Sequence, residues 1–150
     1  MHQNNFYLLV EPNTCVAAWT AIDDADPENG GMYLVSDTAD EEIFCPQLAN
    51  KDESSTTHFV PTPKGKKALP CKMKAGDTLF FNGSSIYGSG PNRSKDRFRR
   101  SFICHYVPKS TQPSPSRFGT WMSRPTPPPR HRCRRDAIWP GVADTSSGNK

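Results

Sequence analysis

The sequence lacks any run of twenty apolar residues, so no segment has the length of a membrane-crossing helix. It also lacks a basic stretch followed by an apolar one near its first residue. A secretory leader is therefore not expected, and the expected location is cytoplasmic, peroxisomal or otherwise intracellular, not secreted. Cysteine is sparse: five residues, none in a Cys-x-x-Cys pair. That spacing argues against a zinc knuckle or a disulfide framework and for free thiols, with Cys15 and Cys104 buried in apolar runs. Apolar residues are only 34% of the chain, low but above the level of a chain that cannot build a core. A helical period is missing as well.

Proline is plentiful instead, with 15 residues. Charge is unevenly placed. Residues 1–110 hold 12 Lys/Arg and 13 Asp/Glu, a net of −1, whereas residues 111–150 hold 7 and 2, a net of +5. The latter stretch also holds 7 of the prolines, among them Pro127-Pro128-Pro129, and the cluster Arg130-His131-Arg132-Cys133-Arg134-Arg135. Proline fixes φ and removes backbone donors, so sheet and long helix are not expected there. Charge alone could hold phosphates, but no aromatic interleaving or binding-fold motif accompanies it, so no specific nucleic-acid partner is expected. The expected division is a folded unit over 1–108 and a disordered Pro/Arg-rich tail over 109–150.

Within 1–108 the apolar runs are short and separated by turn signals. Phe6-Tyr7-Leu8-Leu9-Val10 reads as a strand, and because its apolar residues run without a break, one-sided burial cannot be read from alternation. Thr14 to Ile22 is rich in Thr, Val and Trp and reads as a second strand. Asn29-Gly30-Gly31 is a hairpin-type turn leading into Met32-Tyr33-Leu34-Val35. Residues 36–67 are mostly polar, with two apolar islands at Ile43-Phe44-Cys45 and His58-Phe59-Val60. A loop of that length is expected to be a functional lid or poorly ordered. Lys72 to Asp77 turns into Thr78-Leu79-Phe80-Phe81, and Arg100 to Val107 is the last expected strand. Short strands broken by turns predict an all-β sandwich or barrel.

Several blocks carry a more specific likeness. They are His2-Gln3-Asn4, Cys15 to Ala21, Glu28-Asn29-Gly30-Gly31-Met32, Gly76 to Phe81, Gly88-Ser89-Gly90-Pro91-Asn92-Arg93-Ser94 and Arg99-Arg100-Ser101. In this order and spacing, residues 2–108 resemble the phytanoyl-CoA dioxygenase family of non-haem iron, 2-oxoglutarate-dependent oxygenases. The resemblance implies an all-β double-stranded β-helix (a jelly-roll, cupin-like fold), here incomplete because family members have substantial sequence before the first iron histidine. It implies Fe(II) and 2-oxoglutarate as cofactors and hydroxylation of a small organic or acyl substrate. The iron of such a family sits between a His-x-Asp/Glu pair and a distant His, which leaves one octahedral face for the keto acid and oxygen.

By that resemblance His2 takes the first histidine position, Asn4 the carboxylate position and Tyr87 the second histidine position. Arg99 takes the 2-oxoglutarate arginine, or Arg100 or Arg97 if the loop register slips. Ser89 and Trp19 take positions lining the keto-acid pocket. Asn4 keeps an acceptor oxygen but brings no negative charge. Tyr87 is a phenol, with an ordinary pKa near 10. Only His2 is a standard ligand. Two outcomes follow as expectations: an oxygenase-like protein impaired at its metal, or a noncatalytic fragment acting as a binding protein. Self-association through open sheet edges is expected in the second case.

Overall fold

The computed structural model describes residues 1–8, 10–11, 14–50, 58–110 and 112–113. Most of the expected tail, 111 and 114–150, lies outside the described residues. The fold is β-rich, and among the described residues it has one helical turn, α1 (Asn4–Tyr7). The strands are β1 (Val10–Glu11), β2 (Val16–Ala21), β3 (Met32–Val35), β4 (Gln47–Leu48), β5 (His58–Phe59), β6 (Ala68–Pro70), β7 (Thr78–Asn82), β8 (Tyr87–Ser89), β9 (Ser101–Tyr106) and β10 (Gln112–Pro113). All pairings are antiparallel. One three-stranded sheet has the order β7-β2-β9 and a second β6-β3-β8, with two-stranded pairs β1-β10 and β4-β5.

The two larger sheets pack face to face. Ala17, Trp19 and Ala21 of β2 and Phe81 of β7 meet Met32 of β3 and Tyr87 of β8 in one buried cluster. Alternation along β2 explains which face is buried, because residues two apart point to the same side. Burying each large member of such a cluster contributes about 1.5–3 kcal/mol. A second cluster joins Val35, Phe44, Val60 and Ile86. The two apolar islands of the polar stretch thus supply core residues. Thr38 pins the start of that stretch, its hydroxyl donating to Val35 O at 2.9 Å and accepting from Ile86 N–H at 3.0 Å.

Four expectations change. The run from Phe6 does not form one strand: Asn4–Tyr7 is a helical turn, closed by Leu8 N–H to Asn4 O at 2.8 Å. Its cause is local pinning. Asn5 donates its backbone N–H to Gly83 O (2.9 Å) and its Nδ2 to Ser84 Oγ (3.1 Å), which turns the chain before the apolar run can extend. The turn at Asn29-Gly30-Gly31 is real, but its flanking strands belong to different sheets, since β2 pairs β7 and β9 while β3 pairs β6 and β8. Fully buried Asn29 ties this turn to the strand-entry segment, donating to Asp24 O (2.7 Å) and Phe98 O (3.0 Å). Sheet pairing also continues beyond residue 108, where β10 pairs β1. Finally, Cys15, Cys71 and Cys104 are free but Cys45 is disulfide-bonded; an odd count without a motif cannot exclude a single bridge.

Candidate functional site

The first residues meet β8 edge to edge. His2 and Tyr87 form a two-way backbone bridge, His2 N–H to Tyr87 O at 2.8 Å and Tyr87 N–H to His2 O at 3.0 Å. Gln3 is extended, with φ −118° and ψ 133°, so His2 and Asn4 project to the same side although α1 begins at Asn4. The spacer itself is structural. Gln3 is fully buried on the opposite side, donating to Ser84 O (2.7 Å) and Glu42 O (3.2 Å) and accepting from Phe44 N–H (2.8 Å).

The three triad positions therefore come together, and they bond to one another. The Tyr87 hydroxyl donates to Asn4 Oδ1 at 2.7 Å and lies 2.8 Å from His2 Nε2. With its one proton given to Asn4, the phenol oxygen accepts from a neutral His2 carrying its proton on Nε2. The rings of His2 and Phe81 flank Tyr87, with centroids at 4.3 Å and 4.5 Å. Burial lowers the His2 pKa to about 4, helped by the nearby amino terminus and His105. Burial raises Tyr87 to about 12, outweighing its bond to Asn4.

This donor set does not fit a ferrous ion. The phenol keeps its proton, and no carboxylate supplies negative charge. The remaining group of buried Asn4, Nδ2, is an unpartnered N–H donor, which repels a cation rather than ligating it. Among the described residues no group of three His, Cys, Asp or Glu could hold a metal.

The arginines before β9 separate into two kinds. Arg97 forks Asp26 at 2.8 and 3.1 Å and reaches Glu28 at 2.7 Å. Arg100 grips Asp23 through Nε at 2.9 Å and Nη2 at 2.7 Å. Those hydrogen bonds hold the Asp23 and Asp26 carboxyls down to about 2. Arg99 has no carboxylate partner among the described residues. Its guanidinium carbon stands 6.0 Å from the Trp19 ring centroid, and Nη1 reaches Ser101 Oγ at 3.5 Å.

The β2–β9 register places Ser101, Ile103 and His105 opposite Ala21, Trp19 and Ala17, on the face that carries the core. Trp19 is buried, yet Ile103 beside it is 39% exposed. Among the described residues the inner face of β9 is thus only partly covered, with Arg99 and Ser101 towards one end and His105 towards the other. Counting in twos from Arg99 puts His105 on the same face as Ser101 and Ile103. Burial lowers its pKa, and its charge acts on His2. Ser89 is exposed on β8 and lines a separately defined groove of about 350 Å3 with Tyr33, Pro91 and Arg93.

Comparison with known proteins gives the chain a family and a fold likeness. A family model described as Phytanoyl-CoA dioxygenase (PhyH) matches residues 1–101. Phytanoyl-CoA dioxygenase 1 of Oryza sativa subsp. japonica is 25% identical over 127 residues, covering 85% of this chain and 44% of that protein. The peroxisomal phytanoyl-CoA dioxygenase of Bos taurus is 30% identical over 111 residues, covering 71% of this chain and 33% of that protein. The chain thus spans less than half the length of these relatives. Among solved structures, the non-heme monooxygenase ThoJ superposes with a TM-score of 0.60 at 20% identity, over 75% of this chain and 40% of that one. The non-heme alpha ketoglutarate dependent epimerase SnoN from nogalamycin biosynthesis gives 0.56 at 19%, over 88% and 48%. These likenesses concern the fold. The sequence match over 1–101 carries the further conclusion that the chain belongs to the phytanoyl-CoA dioxygenase family.

Proposed function

We propose that this chain is an oxygenase-derived protein that has kept the acid-binding half of its site and lost the metal half. On this reading it binds a small dicarboxylate of the 2-oxoglutarate class without iron and does not turn over. The observation that carries it is the uncommitted Arg99 guanidinium, set over Trp19 at 6.0 Å while its neighbours are locked to Asp23, Asp26 and Glu28. A planar five-donor fork beside a partly exposed sheet face is suited to a carboxylate. Ser101 Oγ offers a further hydrogen bond, and the Trp19 face forms a wall. Neutral His2 and protonated Tyr87 close the inner end without presenting charge.

The two three-stranded sheets are read as part of a double-stranded β-helix, with the folded unit over 1–108. Ser89 serves, if it contacts ligand, from the rim. Hydroxylation of a small organic or acyl substrate is the ancestral activity in this account. Mammalian relatives in cattle, rat, human and mouse carry "peroxisomal" in their names, which supports an intracellular site for this protein.

Calorimetric titration of 2-oxoglutarate in the presence of a chelator tests the reading. Binding is expected, and Arg99→Ala weakens it by roughly 10- to 100-fold, the worth of a hydrogen bond to a charged group. Arg97→Ala leaves it unchanged. Chelator-sensitive binding, or equal losses in both variants, would overturn the assignment.

A further inference from the structure

Arg99 stands outside β9, which begins at Ser101, so no sheet ladder fixes its backbone. Side chains from the segment 22–31 do that instead. Asn29 Nδ2 donates to Phe98 O at 3.0 Å and to Asp24 O at 2.7 Å, while Asn29 Oδ1 accepts from Asp26 N–H at 2.8 Å. On the other side of Arg99, Arg100 N–H donates to Asp23 Oδ2 at 2.8 Å, and Arg100 O accepts from Ile22 N–H at 3.0 Å. The peptide group entering Arg99 and the one leaving it are thus both held. The side chain is the part left free to meet a ligand.

The two anchors differ. The Asp23 carboxylate is also engaged by the Arg100 guanidinium at the surface. Asn29 is 1% exposed. Its amide uses two donors and one acceptor at once, which an ionised Asp cannot do, and Gln would bring an extra methylene into a packed interior. Gly30 allows so close an approach: its φ is +82°, and a Cβ there would stand 2.8 Å from Gly90 O.

We infer that Asn29 is a positioning residue of the acid-binding site. By holding the Phe98 carbonyl it orients the peptide that carries Arg99, and so sets the guanidinium over Trp19. This rests on the reading of Arg99 as the carboxylate-binding group. Asn29 itself contacts no ligand and acts through Arg99.

Proton–nitrogen spectra of the arginine side chains test the inference in the ligand-free 150-residue chain. The Arg99 Nε–H signal, identified by its loss in Arg99→Lys, is expected to be displaced by the Trp19 ring. Asn29→Ala returns it to the position of exposed arginines and weakens 2-oxoglutarate binding, followed by calorimetry, roughly tenfold. Thr38→Val removes a hydroxyl that is equally buried and also makes two hydrogen bonds. It lowers stability but leaves both readouts in place, which separates positioning from general loosening. A further readout needs no variant, should Asn29→Ala fold poorly. Ligand binding and the Asn29 bonds are reciprocally linked, so saturating 2-oxoglutarate slows hydrogen exchange of the Asn29 side-chain amide. An Arg99 signal unmoved by Asn29→Ala, equal effects of Asn29→Ala and Thr38→Val, or an Asn29 amide indifferent to bound ligand would overturn the inference. An Arg99 signal that moves with Asn29→Ala in a chain that binds no 2-oxoglutarate upholds the positioning and overturns the acid-binding reading instead.

Discussion

Replacing Tyr87 by Phe removes one oxygen and nothing else. That oxygen is the hub of the triad positions, 2.7 Å from Asn4 Oδ1 and 2.8 Å from His2 Nε2. The ring stays packed on Phe81, so no cavity term arises. Asn4 is 4% exposed, and its Nδ2 already lacks a partner, so losing the hydroxyl leaves the whole amide unsatisfied. One such buried group costs about 1–3 kcal/mol. His2 is only part-buried, and water recovers most of its loss. The expected destabilisation is therefore about 2–3 kcal/mol. With a urea slope on the order of 1–3 kcal/mol/M, the unfolding midpoint followed by far-UV circular dichroism falls by about 0.7–3 M. A residue at a metal position that merely awaited an ion would behave oppositely: deleting its hydroxyl would change the metal-free protein little. A midpoint shift corresponding to less than about 0.5 kcal/mol would refute the hydrogen-bonded hub.

Other consequences are as direct. The His2 pKa, lowered to about 4 by burial, lies below its ordinary 6.5. The unfolded chain then takes up that proton first, so stability is complete above about pH 6.5 and declines as pH falls towards 4. Solvent screening of this part-buried ring limits the effect to about 1 kcal/mol. His2→Gln is expected to flatten part of that decline in urea unfolding at stepped pH, the remainder belonging to His105. Gly83→Ala would drive a Cβ into the Asn5 carboxamide, inside a buried turn. A loss of about 1–3 kcal/mol is expected, read as a lower thermal midpoint, and an unchanged midpoint would contradict the described packing. Arg97→Ala frees the carboxylates of Asp26 and Glu28 and is expected to lower the melting temperature while sparing 2-oxoglutarate binding.

Much of the sheet architecture was legible because it rests on local signals. Met32–Val35 and Thr78–Asn82 are apolar runs bounded by Gly-containing turns, and both form strands. The N-terminal run misleads because its conformation is fixed by partners far along the chain, Gly83 and Ser84, which hold Asn5. The turn at Asn29 was visible, but its partners were not: whether flanking strands pair with each other is a tertiary choice. At the site, His2, Asn4 and Tyr87, which the resemblance aligns, stand within hydrogen-bonding distance of one another. Sequence could say that these residues suit iron poorly; it could not say that they hydrogen-bond to one another. Nor could it separate Arg99 from Arg97 and Arg100, since the distinction lies in which acidic residues each one reaches.

The central claim is that the triad positions form a closed hydrogen-bonded set while the acid-binding arginine stays available. Anaerobic calorimetric titration with ferrous iron, before and after saturation with 2-oxoglutarate, tests both halves in one experiment. The account predicts 2-oxoglutarate binding of the same affinity with and without iron, and no stoichiometric ferrous binding at micromolar metal. Tight one-to-one uptake of ferrous iron, or 2-oxoglutarate binding that appears only once iron is present, would contradict it.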